Sequence, residues 1–242
     1  MRPEDIARER VCFDVLRSVQ KMDVLLVGGY AVSAYGPPRF SVDLDIVLEG
    51  GGVVRKVREV LLKAGFSKAS NWDGGDVFAG KAERWTVGEA TLPSSVDMLI
   101  GGISDRVSGG TFTFETLRKT ATRRAVRGLL SSSVAEPLVP SRETLIGLKL
   151  HVARRIDFRD IAILSGEPLD REAVASMIAG APKKLILGHV SKLLSDIDTK
   201  EFKDSLKGVY MLDDRVYARY MKGARDLGLW LERRLRVREG ME

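Results

Sequence analysis

The sequence predicts an α+β fold, in which a core with a mixed central sheet is followed by a helical C-terminal region. Two observations lead to this prediction. Helical and strand-like patterns alternate over about the first 110 residues, as they do in α+β and α/β cores. Beyond the stretch 129–140, apolar residues recur only at helical spacing. We therefore expect a core domain over residues 1–135, which includes an N-terminal helix, and a helical domain over 136–242.

The elements of the core follow from short apolar runs and from the glycines between them. Residues 4–20 have the spacing of an amphipathic helix, and the apolar run 23–27 predicts a buried strand. Gly28 and Gly29 end this strand and lead into a short helix over 30–35. The other elements predicted in the core are a strand over 41–48, a helix over 53–63 and strands over 85–87 and 95–100.

The helices of the second half are predicted from their apolar spacing and from residues suited to their first turns. Ser141 and Asp170 are suitable N-caps, and Pro182 suits the first position of a helix. The predicted helices cover 142–155, about 170–179, about 182–195 and 216–235.

Composition limits the class of protein. The chain has 39 Lys and Arg against 33 Asp and Glu, a net charge of +6 that suits a phosphate-rich partner. Cys12 is the only cysteine and there are two histidines, which excludes a disulfide framework, a cysteine-built zinc site and a histidine-rich metal centre. No apolar run reaches the roughly 20 residues of a membrane span, and the N-terminal residues lack a signal-peptide core. We therefore expect a cytoplasmic protein that does not enter a membrane.

Two acidic residues, Asp43 and Asp45, lie two positions apart on the predicted strand 41–48, so both side chains leave the same face. Carboxylates this close repel each other unless a cation lies between them. Oxygen ligands of this kind favour Mg²⁺ or Mn²⁺ over zinc. A solvated strand face with two ordinary acids is the alternative interpretation.

The surrounding residues extend this pattern. If the predicted strand 95–100 lies beside 41–48, Asp97 adds a third carboxylate, and the cluster can clamp a pair of divalent ions. The Gly28-Gly29 pair leaves backbone N–H groups free for a phosphate, whereas a tight turn alone would need one glycine rather than two. Arg39 is placed either to reach a phosphate or to cover the edge of the sheet.

Lys149 lies in an otherwise apolar helical stretch, where its charge needs a route to solvent or an anionic partner. At helical spacing, Asp157 and Asp160 return to the same face and can orient this lysine. Alternatively, Asp157 caps a following helix, and the sequence leaves both interpretations open.

These motifs resemble those of the DNA polymerase β-like nucleotidyltransferase superfamily, and within it the minimal, toxin-type, AbiEii-like branch. The resemblance covers roughly residues 20–165, and its two motifs together are fairly specific. Many members have Gly-Ser in place of Gly28-Gly29, and Ile156 replaces a basic residue. The matching segments are Gly28-Gly29-Tyr-Ala31, Gly36-Pro-Pro-Arg39, Ser41-Val-Asp43-Leu-Asp45, Leu145-Ile-Gly-Leu-Lys149-Leu and Asp157-Phe-Arg-Asp160-Ile.

The resemblance implies transfer of a nucleoside monophosphate from an NTP to an acceptor hydroxyl of RNA, tRNA or protein. It also implies a toxin–antitoxin role with an antitoxin-type partner, and two Mg²⁺ or Mn²⁺ ions as cofactors. The implied metal ligands are Asp43, Asp45 and Asp97, with Lys149 as a further catalytic residue. The implied nucleotide-binding residues are Gly28, Gly29, Arg39, Ser41 and Lys149, and Asp157 and Asp160 would support the lysine.

Two other functions stay open. A catalytically idle module would use the same cleft to bind nucleotide, RNA or a partner protein, although the presence of all three carboxylates favours an enzyme. Modification of a small cationic molecule, as in aminoglycoside nucleotidyltransferases, would call for an acidic pocket. The five basic residues between 118 and 127 argue against such a pocket, and they either follow an RNA backbone or form a solvated basic face.

Overall fold

The computed structural model describes residues 2–69, 78–88 and 93–237. The chain divides into two compact units, which we call the sheet unit (1–106 and 111–141) and the helical unit (107–110 and 142–242). The strands are β1 Val24–Leu26, β2 Asp43–Leu48, β3 Ser67–Lys68, β4 Phe78–Val87, β5 Ser94–Asp105, β6 Thr111–Thr113, β7 Thr122–Arg123, β8 Val126–Arg127, β9 Val134–Ala135 and β10 Leu138–Val139. The helices are α1 Pro3–Val19, α2 Gly28–Val32, α3 Gly51–Lys63, α4 Phe114–Lys119, α5 Arg142–Val152, α6 Arg155–Leu164, α7 Arg171–Ile178, α8 Lys183–Asp196, α9 Lys200–Tyr210 and α10 Asp214–Val237.

The sheet unit is built on a mixed sheet with the strand order β3-β4-β5-β2-β1-β10-β7, and β6 pairs with β5. β2 runs parallel to β5 and β1 runs parallel to β10, whereas the other neighbours in this sheet are antiparallel. Strands β8 and β9 form a separate two-stranded sheet. The helical unit contains α5 to α10, so the α+β fold with its mixed sheet and helical C-terminal region is confirmed. None of the helices in the described part of the chain is long and apolar enough to span a membrane.

β2 occupies the middle of the sheet because both of its edges are hydrogen-bonded, to β1 and to β5. Leu44, Ile46 and Leu48 are fully buried, whereas Asp43 and Asp45 on the other face are partly exposed. The alternation of the sequence therefore gives β2 one face in the core and one face with carboxylates.

Several predicted elements have different bounds in the structure. The single helix predicted over 142–155 is wrong, because Ala153 adopts a left-handed conformation (φ 53°) that separates α5 from α6. Strand β4 is longer than the predicted 85–87, since a bulge between Ala79 and Lys81 lets the strand continue past Gly80. The short helix α2 begins at Gly28 itself, and Pro182 lies immediately before α8 instead of at its first position.

Other local predictions are met by the structure. Asp170 caps α7, because its side chain accepts a hydrogen bond from the backbone N–H of Ala173. The long last helix is α10, whose buried residues Tyr220, Ala224 and Leu227 lie at helical spacing. Sequence periodicity was sufficient for these elements because their caps and apolar stripes are local features.

A buried carboxylate ties α1 to the loop that follows β8. Glu9 is fully buried and accepts hydrogen bonds from the backbone N–H groups of Leu129 (2.9 Å), Leu130 (2.8 Å) and Ser131 (2.6 Å). A Cβ atom at Gly128 would lie 2.5 Å from the Glu9 Oε2 atom, so only glycine leaves room for this carboxylate. Hydrogen bonds from several N–H groups compensate the cost of burying the charge.

We predict that Glu9→Ala lowers the free energy of unfolding by about 3 kcal/mol, because three backbone N–H groups lose their acceptor and the buried side chain leaves a cavity. Urea denaturation followed by circular dichroism measures this change. Glu59→Ala, at an exposed position of α3, is the control and should change stability by less than about 0.5 kcal/mol. Equal stability of the two variants would contradict the anchoring role of Glu9.

Candidate active site

Three carboxylates meet at neighbouring positions of β2 and β5. The parallel register places Asp43 beside Ser95 and Asp45 beside Asp97. Register partners on neighbouring strands point to the same side of a sheet, so Asp43, Asp45 and Asp97 share one face. The structure therefore meets the condition set by the sequence analysis, that the strand carrying Asp97 lies next to the strand carrying the acidic pair.

Asp43 and Asp45 have different neighbours. The Ser95 hydroxyl donates a hydrogen bond to Asp43 Oδ1. Asp45 packs directly on Gly28, where a Cβ atom would overlap the Asp45 carboxylate. Gly28 also has a positive φ of 66°, which side chains other than glycine rarely adopt. Gly28 is thus required by both the backbone turn and the position of Asp45.

Gly29 makes room for the next part of the motif. A Cβ atom at this position would lie 2.5 Å from Arg39 Nη2 and 2.6 Å from Ser41 Oγ. Arg39 is buried, and its backbone N–H donates to Ser33 Oγ at 3.2 Å. The Tyr30 hydroxyl donates to the backbone carbonyl of Ser41 at 2.8 Å. The two glycines therefore hold Asp45, Arg39 and Ser41 in one packed group, a reason for the glycine pair that the sequence analysis did not anticipate.

Asp97 is held by an arginine that sequence reasoning missed. Arg84 faces Asp97 across the antiparallel pair β4–β5, with Nε 2.7 Å from Oδ1 and Nη2 2.6 Å from Oδ2. Burial raises the pKa of the Asp97 carboxyl; Arg84 acts against this rise and the charge of Asp43 adds to it. The signal for Arg84 is the register between two strands, which the sequence by itself does not provide.

The oxygen donors of this face suit a hard divalent cation such as Mg²⁺ or Mn²⁺. In the conformation described, Asp43 accepts from Ser95 and Asp97 is bound to Arg84. Across residues 2–69, 78–88 and 93–237, no group of three or more His, Cys, Asp or Glu side chains is arranged to hold a metal ion. The Arg84 guanidinium is a cation among these carboxylates, interacting electrostatically with Asp97, Asp43 and Asp45. Asp43 and Asp45 therefore carry the type of oxygen donor that such an ion prefers, whereas both oxygens of Asp97 are hydrogen-bonded to Arg84 in this conformation.

Lys149, Asp157 and Asp160 form a cluster within the helical unit. Lys149 Nζ lies 3.2 Å from Asp157 Oδ1 and 2.6 Å from Asp160 Oδ2, and its side chain is 11% exposed. The Tyr210 hydroxyl, on α9, donates to Asp160 Oδ1 at 2.6 Å, a contact that the sequence analysis missed. Asp157 also accepts from the backbone N–H of Arg154 at 3.0 Å, at the start of α6. Both interpretations of Asp157, as a partner of the lysine and as a helix cap, are therefore met.

The charges of this cluster are matched. Burial acts to raise the pKa of Asp157, but Lys149 and Arg154 outweigh it and hold this pKa below its ordinary value. Lys149 therefore has two carboxylate partners inside the helical unit.

The basic residues between 118 and 127 are largely engaged with the protein itself. Arg118 Nε lies 2.6 Å from Asp23 Oδ1, and Arg123 donates to the backbone carbonyls of Gln20 and Glu136. The Arg124 guanidinium lies 4.2 Å from the centre of the Tyr35 ring. These contacts give part of this run a structural role, while Lys119, Arg123, Arg124 and Arg127 are exposed.

The chain is similar to one protein family and to solved structures. A family model described as the nucleotidyl transferase AbiEii toxin of type IV toxin–antitoxin systems matches residues 13–212. A Helicobacter pylori protein described as a candidate nucleotidyltransferase has 14% identity and a TM-score of 0.49, covering 100% of this chain and 99% of that one. The H. pylori protein JHP933 has 14% identity and a TM-score of 0.47, covering 100% of this chain and 97% of that one. No curated protein matches the chain.

We predict that Gly28→Ala destabilises the protein by at least about 2 kcal/mol, because the added Cβ overlaps the Asp45 carboxylate and the backbone is strained. The control is Gly52→Ala in α3, where a Cβ atom meets nothing within 4 Å and helix propensity favours alanine. Thermal denaturation of both variants measures the difference. A Gly28→Ala variant as stable as the control would contradict this packing.

We predict that Lys149→Met lowers the free energy of unfolding by about 3 kcal/mol at pH 7, because it leaves Asp157 and Asp160 buried without this counter-ion. The pKa of Asp157 is lower in the folded state than in the unfolded state. Its ion pairing therefore stabilises the protein fully at pH values above its unfolded-state pKa, and this stabilisation is lost as the pH falls through its folded-state pKa. The loss caused by Lys149→Met should therefore shrink as the pH falls through the acid range, which denaturation at several pH values measures. Lys184→Met, at an exposed position of α8, should change stability little at any pH.

Proposed function

Since the chain belongs to the AbiEii nucleotidyl transferase toxin family of type IV toxin–antitoxin systems, we propose that it moves a nucleoside monophosphate from an NTP to an acceptor hydroxyl. The observation that carries this proposal is the shared face of Asp43, Asp45 and Asp97 on the parallel strands β2 and β5. In such a reaction the acceptor oxygen forms a bond to the α-phosphorus, and the bond to the pyrophosphate breaks.

Asp43 and Asp45 are the residues that would hold divalent ions, which when bound neutralise phosphate charge and lower the pKa of the acceptor hydroxyl. This role is supported by the position of both residues on one partly exposed strand face beside Asp97. Asp97 would accept the proton from the acceptor hydroxyl, and the support for this role is its position beside Asp45 on the shared face.

The packed group around Gly29 is proposed to bind the triphosphate of the nucleotide. Gly28 and Gly29 bring the backbone next to Asp45, Arg39 and Ser41. A triphosphate bound beside this turn would meet backbone N–H groups, a hydroxyl and a guanidinium, which are the donors that phosphate oxygens accept from. Lys149 is proposed to neutralise the negative charge of the leaving pyrophosphate. The support for this role is the helix motif of the family, in which Lys149 lies.

The acceptor is proposed to be RNA, tRNA or protein, and an antitoxin-type partner follows from the type IV description of the family. The net charge of +6 is compatible with a nucleic-acid acceptor and does not select one. The exposed basic run between 118 and 127 does not select an acceptor either, so the acceptor has to be identified by labelling.

A catalytically idle module that binds nucleotide or a partner is the competing hypothesis. One observation favours it: both oxygens of Asp97 accept from Arg84 in the conformation described. The two hypotheses differ in a simple way, since an idle module would bind NTP without transferring a labelled product.

We predict that Asp45→Asn lowers Mg²⁺-dependent transfer at least about a hundredfold, because the amide keeps the shape of the side chain but removes its charge. Each of four α-labelled NTPs is incubated with Mg²⁺, total RNA and cell lysate, and label is followed into RNA and protein. Glu49→Gln, at an exposed acid after β2, is the matched control and should retain activity.

The labelling assay, together with thermal denaturation in the presence of NTP and Mn²⁺, separates the hypotheses. Label in RNA or in protein identifies the acceptor, and loss of that label in Asp45→Asn supports the assigned site. Undiminished transfer by Asp45→Asn would contradict the role given to this carboxylate. Thermal stabilisation by NTP and Mn²⁺ with no labelled product would favour the idle module.

A further inference from the structure

The contact between Arg84 and Asp97 is the feature of the sheet unit that the family motif does not explain. Arg84 is on β4, outside the short motif segments that carry the resemblance, yet its Nε and Nη2 atoms both donate to the same carboxylate. The Asp97 side chain is 4% exposed and the Arg84 side chain 34% exposed. The arginine is therefore partly exposed to solvent, whereas the carboxylate that it holds is buried.

The charge around this contact is strongly negative. Asp43, Asp45 and Asp97 share one face, and Arg84 interacts electrostatically with all three. A guanidinium cannot be deprotonated under ordinary conditions, so Arg84 is a permanent positive charge beside the carboxylates. A divalent ion at the same carboxylates would meet this charge and be repelled by it.

We propose that Arg84 is a built-in counter-ion that competes with a divalent cation for Asp97, and so sets the metal affinity of the carboxylate cluster. This inference rests on the proposed function. Arg84 is a positioning residue: without an ion it holds Asp97 and offsets the repulsion among the carboxylates. With a divalent ion held by the carboxylates, the hydrogen bonds from Arg84 Nε and Nη2 to Asp97 would weaken, and Asp97 would become available as a ligand or base.

The first test is a titration with Mn²⁺ in the absence of NTP, in which electron paramagnetic resonance measures free Mn²⁺. Arg84→Gln should bind Mn²⁺ at least about tenfold more tightly than the wild type, because a repelling charge is removed. Arg84→Lys keeps the charge and should bind like the wild type. Unchanged or weaker binding by Arg84→Gln would overturn the proposal.

The matched control is Arg58→Gln. Arg58 also holds a buried carboxylate of β4, with its Nε 3.1 Å from Glu83 Oε2, and Glu83 keeps Lys68 at 2.7 Å as a second partner. Arg58 shares the geometry of an arginine on a buried acid but belongs to a different carboxylate. Its variant should leave the Mn²⁺ affinity unchanged, and tighter binding by Arg58→Gln would overturn the assignment to Arg84.

A second measurement uses the wild-type protein, so that it does not depend on the folding of a variant. The ¹⁵N–¹H signal of Arg84 Nε, assigned by its loss in Arg84→Lys, should shift when Mg²⁺ is added. An Arg84 signal that stays fixed at saturating Mg²⁺ would overturn the competition.

Failure of this inference and failure of the proposed function give different results. If Asp45→Asn loses Mn²⁺ binding while Arg84→Gln matches the wild type, the carboxylates bind the metal and only the role of Arg84 is wrong. If the wild type and Asp45→Asn bind Mn²⁺ equally weakly, both the metal site and the competition are overturned.

Discussion

In the sheet unit, β2 and β5 run parallel with Asp45 beside Asp97, and this register brings the acidic side chains of two distant segments to one place. A shift of one residue would turn Asp97 to the opposite face of β5 and bring its neighbours Val96 and Met98, both fully buried, onto the acidic face. Val96 and Met98 oppose such a shift because they would leave the core, where they lie on the same side of the sheet as Leu44 and Ile46. The core of the sheet therefore determines where the carboxylates lie.

Buried charges in both units are held by dedicated partners. Glu9 accepts from three backbone N–H groups, and Asp97 accepts from Nε and Nη2 of the Arg84 guanidinium. In the helical unit, Lys149 lies between two carboxylates. Leaving any of these charges without its partner costs several kcal/mol, so these pairs restrict the conformations of their side chains. The pair formed by Arg84 and Asp97 differs from the others because its carboxylate is also a member of the candidate active site.

The family motif acquires a physical explanation from the packing around the two glycines. The absence of a Cβ atom at Gly28 leaves room for Asp45, and its absence at Gly29 leaves room for Arg39 and Ser41. Residues of the motif that are spread over 18 positions of the sequence, from Gly28 to Asp45, are thus packed together in the structure. Its residues depend on one another, which accounts for a motif of small, basic and acidic residues at fixed spacing.

Some features of this protein are determined by its sequence because they are local. Alternation along 41–48 assigns Asp43 and Asp45 to one face, and helical spacing together with Asp170 as a cap identifies α7, α8 and α10, although α9 was not predicted. The break at Ala153 was not predictable, because a left-handed alanine has no sequence signal of its own. Contacts between distant segments, such as those of Arg84 with Asp97, Glu9 with the loop after β8 and Tyr210 with Asp160, were decided by the tertiary structure. They depend on strand register and helix packing, which arise from the burial of the whole core and not from any one segment.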